Sequence, residues 1–292
     1  MKVFVTGGTG YVGRVVVESC LQAGHDVTVL ARLDSQRPTP SDGVRVVTGD
    51  LFDESFLTKQ MTGCDAVIHL VGIIREQPRR GVTMDHVHFD GTMSVVQAAS
   101  QARIQHYVHM SALGTRANAV SKYHRSKWRA EEAVRRSGLS YTVFRPSIVF
   151  GSGGPGPNFI SQLTDLVRSS PVTPVIGDGN TLLQPVHVQT VAEAFCRALT
   201  VPEARGKTYE LGGPDVISYL DILRQIALSF HRRLWPVHVP MMLMKPLTTL
   251  LQRIPAYPIT PDQLAMLEEG SVCTDPHTVY QDLHLSYKPF RI

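Results

Sequence analysis

The sequence predicts an α/β fold, a doubly wound parallel sheet followed by a smaller C-terminal lobe. Three observations predict it. Short apolar strand patterns alternate with helical ones through the first half of the chain. A glycine-rich turn joins the first strand to the first helix. The alternation then stops at "FGSGGPGPN", where glycine and proline mark a boundary. With 292 residues and 43% hydrophobic content the chain can bury a large core.

The first strand is KVFVT, followed by a helical pattern over 11–22. Strands DVTVLA and VRVV (44–47) come next, then AVIHLVG and a helix over 84–102. HYVHMS, a helix over 121–137 and YTVFRP complete the alternation. Between the first strand and helix lies TGGTGYVG, with Gly7, Gly10 and Gly13 in a GxxGxxG array around Thr9, Tyr11 and Val12. Glycine there permits a tight turn, close approach of backbone to a pyrophosphate, and close packing of helix on strand, while the helix N-terminus favours the negative charge. Residues 1–151 therefore read as a Rossmann-type NAD(P)-binding domain. The second strand runs into Arg32, with Asp34 two positions on. An arginine there pairs with a 2′-phosphate, which favours NADP(H) over NAD(H), whereas Asp34 facing the ribose would leave NAD(H) open.

Composition excludes several classes. A formal charge of +4 from 29 basic and 25 acidic residues is too small and dispersed for a nucleic-acid surface. Cys20, Cys64, Cys196 and Cys273 show neither CxxC nor metal spacing, which fits idle thiols in a reducing, cytoplasmic compartment. No apolar run reaches the roughly 18 residues of a membrane-spanning helix, and the N-terminus enters a strand directly, without a signal-peptide pattern. Attachment to the inner face of a membrane stays open.

"YHRSK" places Tyr123 and Lys127 at i and i+4 on one helical face. Alone, the spacing is a weak signal. A free tyrosine has a pKa near ~10, and a neighbouring ammonium favours the phenolate, so the pair can exchange a proton with a substrate oxygen.

TGGTGYVG, "GDL" (49–51), "HLVG" (69–72), "HMSALG" (109–114), YHRSK and "FRPSIVFG" (144–151) occur in an order that resembles the short-chain dehydrogenase/reductase superfamily, in its extended and atypical, epimerase/dehydratase-like branches. The resemblance implies that Asp50 and Leu51 flank the adenine, that Leu70, Val71 and Gly72 line the cofactor cleft, and that Pro146, Ser147 and Ile148 lie near the nicotinamide. It implies a group of Ser111, Tyr123 and Lys127 acting on a carbonyl or alcohol, with Lys127 also holding the cofactor ribose. One position departs from the pattern: His88 stands where extended members often carry asparagine, which leaves helix geometry there open. His86 and His88 lack companion ligands at metal spacing, so no metal site is expected. HLVGIIRE, YHRSKWRAEEAVR, LQPVHV and YELGGP are similar to bacterial relatives of the NADPH-binding accessory subunit of mitochondrial respiratory complex I. That similarity implies a structural or regulatory use of the nucleotide as the alternative to catalysis.

Residues 152–292 read as a smaller substrate or partner lobe, with 184–204 packing back on the first domain. Ser218 with Asp221, and Thr260 with Pro261 and Gln263, are helix-start patterns. Leu243, Leu247, Leu250, Leu251 and Ile254 form one helical stripe expected to face a core, with Met241, Met242 and Met244 partly off it. Adaptable thioethers suit a hydrophobic or quinone-like molecule, a respiratory-complex partner or a membrane surface. Arg75, Arg79 and Arg80 read foremost as a solvated basic loop, with an anionic ligand as the other reading.

Overall fold

The computed structural model describes residues 1–32, 43–156, 158–170, 172–251 and 259–292. The first half contains β1 (Lys2–Thr6), α1 (Tyr11–Gln22), β2 (Asp26–Ala31), β3 (Arg45–Thr48), α2 (Glu54–Met61) and β4 (Ala66–His69). It continues through α3 (Gly91–Gln101), β5 (His106–Met110), α4 (Lys122–Arg136) and β6 (Tyr141–Pro146). The second half holds β7 (Val149–Phe150), α5 (Phe159–Ser169), β8 (Val172–Ile176), β9 (Leu182–Leu183), β10 (Val186–His187) and α6 (Val188–Ala198). Then come β11 (Lys207–Leu211), β12 (Ile217–Ser218), α7 (Tyr219–Ser229), β13 (Trp235–Val239), α8 (Met241–Leu251), α9 (Pro261–Glu269) and α10 (Thr278–Asp282).

Seven strands form one parallel sheet in the order β11-β6-β5-β4-β1-β2-β3. Successive side chains of a strand point to opposite faces, and both faces are covered here. Val3 and Val5 join one core with Val16 of α1, Val191 and Phe195 of α6, and Val279 and Tyr280 of α10. Phe4 joins the other, with Leu57 of α2, Val95 of α3 and Val134 of α4. The sheet draws on the chain beyond residue 204, because β11 pairs with β6 from Lys207↔Thr142 to Leu211↔Pro146.

A third core, formed by Ile160 and Leu163 of α5, Val175 of β8, Leu223 of α7 and Leu264 of α9, organises the second lobe. Its helices start where side chains supply caps: Ser218 accepts from Asp221 N, and Thr260 and Gln263 form a reciprocal capping box.

Two expectations need correction. The helix over 84–102 is not uniform: Asp85–Asp90 is a π-helical turn running into α3. The wider turn puts His88 on the buried side while Asp85 and Asp90 stay exposed. The apolar stripe also departs from expectation at Leu243. Leu243 is 61% exposed, whereas Met244 and Thr248, one turn apart, face inward. The side chains of Leu247, Leu250 and Leu251, and all of Ile254, lie outside the description, as does Asp34.

Candidate active site

Parallel pairing brings the carboxyl ends of all seven strands to one edge, and the residues singled out by sequence lie along it. After β1, Gly10 N donates to Gly7 O at 3.0 Å, closing the turn. Gly7 has φ +77, and a Cβ there would stand 2.9 Å from the Leu70 carbonyl carbon and Val71 N. A Cβ on Gly13 would stand 2.1 Å from Gly7 O. Both glycines are thus required by close approach of the turn to β4 and to its own helix. α1 begins at Tyr11 with Gly10 as N-cap, without a side-chain cap or an acidic residue in the first turn. Its N-terminal N–H groups and Cβ-free cradle fit the pyrophosphate of a dinucleotide. Val12 is buried in the core beneath, and Thr9 lies half-buried in the turn. Tyr11 Oη donates to Gly151 O at 2.8 Å, and Gly154 N donates to Tyr11 O at 2.8 Å. The Gly/Pro loop after β7 therefore runs across the start of α1.

Arg32 follows β2 and is exposed. Asp50 and Leu51 follow β3, where Asp50 Oδ1 accepts from Phe52 N at 3.1 Å and Leu51 packs 2.8 Å from the point a Gly91 Cβ would occupy. Leu70, Val71 and Gly72 follow β4, and Leu70 N donates to Thr6 O, tying them to the glycine turn. Pro146 ends β6, and Ile148 packs toward the second lobe's core. The Ser147 hydroxyl is occupied by Ser271, at 2.8 Å from its Oγ and 3.1 Å from its carbonyl oxygen. Ser147 thus joins the two lobes.

Ser111 lies just beyond β5, held by Ser111 N donating to Phe144 O, with its Oγ 3.3 Å from Thr115 Oγ1. Tyr123 and Lys127 lie in the first two turns of α4, whose N-cap Ser121 accepts from His124 N. Lys127 is buried, and its Nζ donates to Met110 O at 2.9 Å, one residue before Ser111. The same Nζ is 3.1 Å from where a Gly72 Cβ would stand, so glycine leaves the ammonium room at the end of β4. Burial lowers the Lys127 pKa to about 8, and the Glu131 carboxylate one turn on partly opposes this.

For Tyr123 the expected direction is reversed. Burial pushes its pKa up to about 12, and no lowering by Lys127 offsets it. The ammonium is directed at the Met110 carbonyl, so desolvation of the phenolate dominates.

His88 completes the local network. Its Nε2 accepts from Ile73 N at 2.9 Å, which fixes the proton on Nδ1, and Nδ1 donates to Ser126 Oγ at 2.7 Å. Ser126 Oγ donates in turn to Tyr123 O at 2.9 Å. Burial first, and the Lys127 charge second, hold the His88 pKa down at about 2, so the ring is neutral. His86 points elsewhere, stacked on Phe52 at 4.1 Å and paired with Asp90 at 3.0 Å.

Two groups were not foreseen. Asp262, at the start of α9, accepts from Lys122 N (2.6 Å) and Tyr123 N (3.0 Å), so the second lobe caps the helix that carries Tyr123 and Lys127. The fully buried Glu131 carboxylate receives a bidentate Arg145 (2.8 and 2.7 Å) and Arg135. Its i+4 spacing from Lys127 was the available signal. Arg79 and Arg80 lie on an exposed short turn, Pro78–Arg80, away from these contacts.

The sequence profile of the NAD dependent epimerase/dehydratase family matches residues 3–212. The chain belongs to this family. As a member of the epimerase/dehydratase family it is an NAD(P)-binding protein of short-chain dehydrogenase/reductase type. It is 30% identical to an Arabidopsis thaliana protein, NADH dehydrogenase [ubiquinone] 1 alpha subcomplex subunit 9, mitochondrial, over 96% of this chain and 73% of that one. It is 34% identical to the ceramide reductase of Caulobacter vibrioides, over 67% of this chain and 61% of that one. Among solved structures, a UDP-glucuronic acid 4-epimerase from Bacillus cereus, in complex with UDP-glucuronic acid and NAD, superposes with a TM-score of 0.76 at 16% identity. That match covers 99% of this chain and 95% of the other and shows the shared fold. Among the described residues, no helix is long and apolar enough to cross a membrane.

Proposed function

We propose that the chain is an NADP(H)-dependent oxidoreductase acting on a carbonyl or alcohol through Ser111, Tyr123 and Lys127. The observation that carries this reading is the placement of Lys127: a buried ammonium between Met110 O and Gly72, one residue from Ser111 and one helical turn from Tyr123. A bound nicotinamide would supply or accept the hydride. Tyr123 exchanges a proton with the substrate oxygen, and Ser111 Oγ donates a hydrogen bond to the same atom. Lys127, with a pKa near about 8, is largely protonated at neutral pH and would hold the cofactor ribose. Arg32 receives the 2′-phosphate, which sets the preference for NADP(H) over NAD(H). Gly7, Thr9, Gly10, Tyr11, Val12 and Gly13 cradle the pyrophosphate, Asp50 and Leu51 flank the adenine, and Leu70, Val71, Gly72, Pro146 and Ile148 line the nicotinamide half. Ser147 contributes there by holding the second lobe.

Fluorescence titration with NADPH and NADH tests the cofactor assignment. Wild type binds NADPH more tightly, and Arg32→Ala removes the difference by weakening NADPH alone. Equal affinities in the wild type would end the 2′-phosphate reading.

A second reading has its own support. The plant relative that covers nearly the whole chain is a subunit of a respiratory enzyme, and burial holds Tyr123 near about 12. An accessory or assembly role at a quinone-linked membrane complex, with the nucleotide stabilising the fold, fits both. It predicts NADPH binding without NADPH oxidation toward hydrophobic carbonyls or quinones, and copurification with a membrane complex.

A further inference from the structure

The second lobe presents an apolar surface that the site does not use. β13 pairs in parallel with β8, with Trp235 opposite Val172 and Val237 opposite Pro174. Residues two apart share a face of a strand, so these four form one outward ladder. Trp235 is 65% exposed, and Val172, Pro174 and Val237 are exposed with it. α8 begins two residues after β13 and adds Met242, 85% exposed, and Leu243. Trp235 and the aliphatic ladder are thus exposed along β13, and Met242 and Leu243 are exposed just past its far end, where single exposed apolar residues are the norm.

The stretch of sequence that carries β13 and α8 is one-sided in charge. Between Asp221 and Asp262 the sequence contains no acidic residue, but it carries Arg224, Arg232, Arg233, Lys245 and Arg253. Across the whole chain, 29 basic residues are nearly balanced by 25 acidic ones, so this stretch stands apart. Arg232 and Arg233 are exposed immediately before β13, and Arg232 is anchored by donating to Arg168 O at 3.0 Å.

We propose that this face, formed by β8, β13 and the first turn of α8, docks the protein on an anionic lipid bilayer. The chemistry matches on three counts. Tryptophan favours the headgroup boundary, short apolar side chains reach the acyl region, and arginines meet lipid phosphates. The exposed carboxylates near this face are Asp178, beside His238 of β13, and Asp165, paired with Arg168, so attraction to an anionic surface rests on Arg232 and Arg233. α8 has 11 residues, too few for the ~20 that cross a hydrocarbon core, so the contact lies on the membrane rather than through it. The proposal does not depend on turnover at Tyr123.

Density-gradient flotation of the full chain tests it, using vesicles of phosphatidylcholine alone and of phosphatidylcholine with phosphatidylglycerol. The protein is expected to float with the anionic vesicles and to be released by raised salt. Met242→Ser with Leu243→Ser, both solvent-exposed, weakens partition about tenfold. Arg232→Gln with Arg233→Gln weakens it about thirtyfold. Both variants keep wild-type NADPH affinity, which reports an intact fold. Absence of flotation with anionic vesicles overturns the proposal, and so does flotation that neither variant changes. Self-association abolished by the serine pair, without vesicle binding, would make the face an interface between copies and equally overturn it.

Discussion

The backbone N–H of Tyr123 donates to the Asp262 carboxylate at 3.0 Å, across 139 residues of sequence. The same carboxylate takes Lys122 N at 2.6 Å, so two of the N–H groups that a helix N-terminus leaves unpaired are met from the second lobe. At the other end of α9, Glu269 pairs with Arg116 at 2.6 Å, beside the segment that follows Ser111. The proposed proton donor is therefore held between the lobes.

Asp262→Ala removes that cap and should cost about 1–2 kcal/mol of stability, read as a shift in the urea midpoint. Asp262→Asn keeps an acceptor and should recover most of it. In a working enzyme, Asp262→Ala should lower kcat more than it raises KM, since it touches the helix carrying Tyr123 and not the cofactor cradle.

Five histidines buried among the described residues make the fold acid-sensitive. Burial holds His69, His88 and His106 down at about 3, 2 and 4, His109 well below the ordinary value, and His124 below it. The unfolded chain takes up protons near ~6.5 while the folded protein does not, so the unfolded state binds more protons below that pH. Their stabilisation is complete above about pH 6.5 and is lost as pH falls toward the folded values. Removing one of the five by His88→Asn should reduce the slope of stability against pH by up to about 1.4 kcal/mol per pH unit below ~6. Urea melts at successive pH values measure it, and an unchanged slope would mean that His88 titrates normally.

Glu131→Ala leaves Arg145 and Arg135 without their shared buried carboxylate, which should cost about 3–5 kcal/mol. It also removes the charge that opposes burial at Lys127, so the lysine pKa should fall further below about 8. An NADPH affinity that declines at lower pH in the variant than in wild type would report the second effect.

Much of this was legible in the sequence because it is local. The glycine turn, the buried strands and the helix starts at Ser218 and Thr260 each follow from residues within a few positions of one another. Tyr123 and Lys127 share a face by helical spacing alone. Contacts between distant segments were not legible: Asp262 on α4 and Ser271 on Ser147 depend on how the second lobe returns to the sheet edge. His88 was recognised as a departure, but its role required the π-helical turn that brings it to Ile73 N. Met244 rather than Leu243 faces inward because packing, and not periodicity alone, decides which of the two is buried. The direction of the Tyr123 shift was missed because the Lys127 ammonium is directed to Met110 O.

Proton transfer at Tyr123 is read from the loss of reduced-nicotinamide absorbance on mixing NADPH-loaded protein with a panel of hydrophobic ketones, aldehydes and quinones. The wild type should oxidise NADPH. The rate should be about a hundredfold or more lower in Tyr123→Phe, with NADPH affinity unchanged. Wild-type rates in Tyr123→Phe, or tight NADPH binding with no oxidation across the panel, would contradict it.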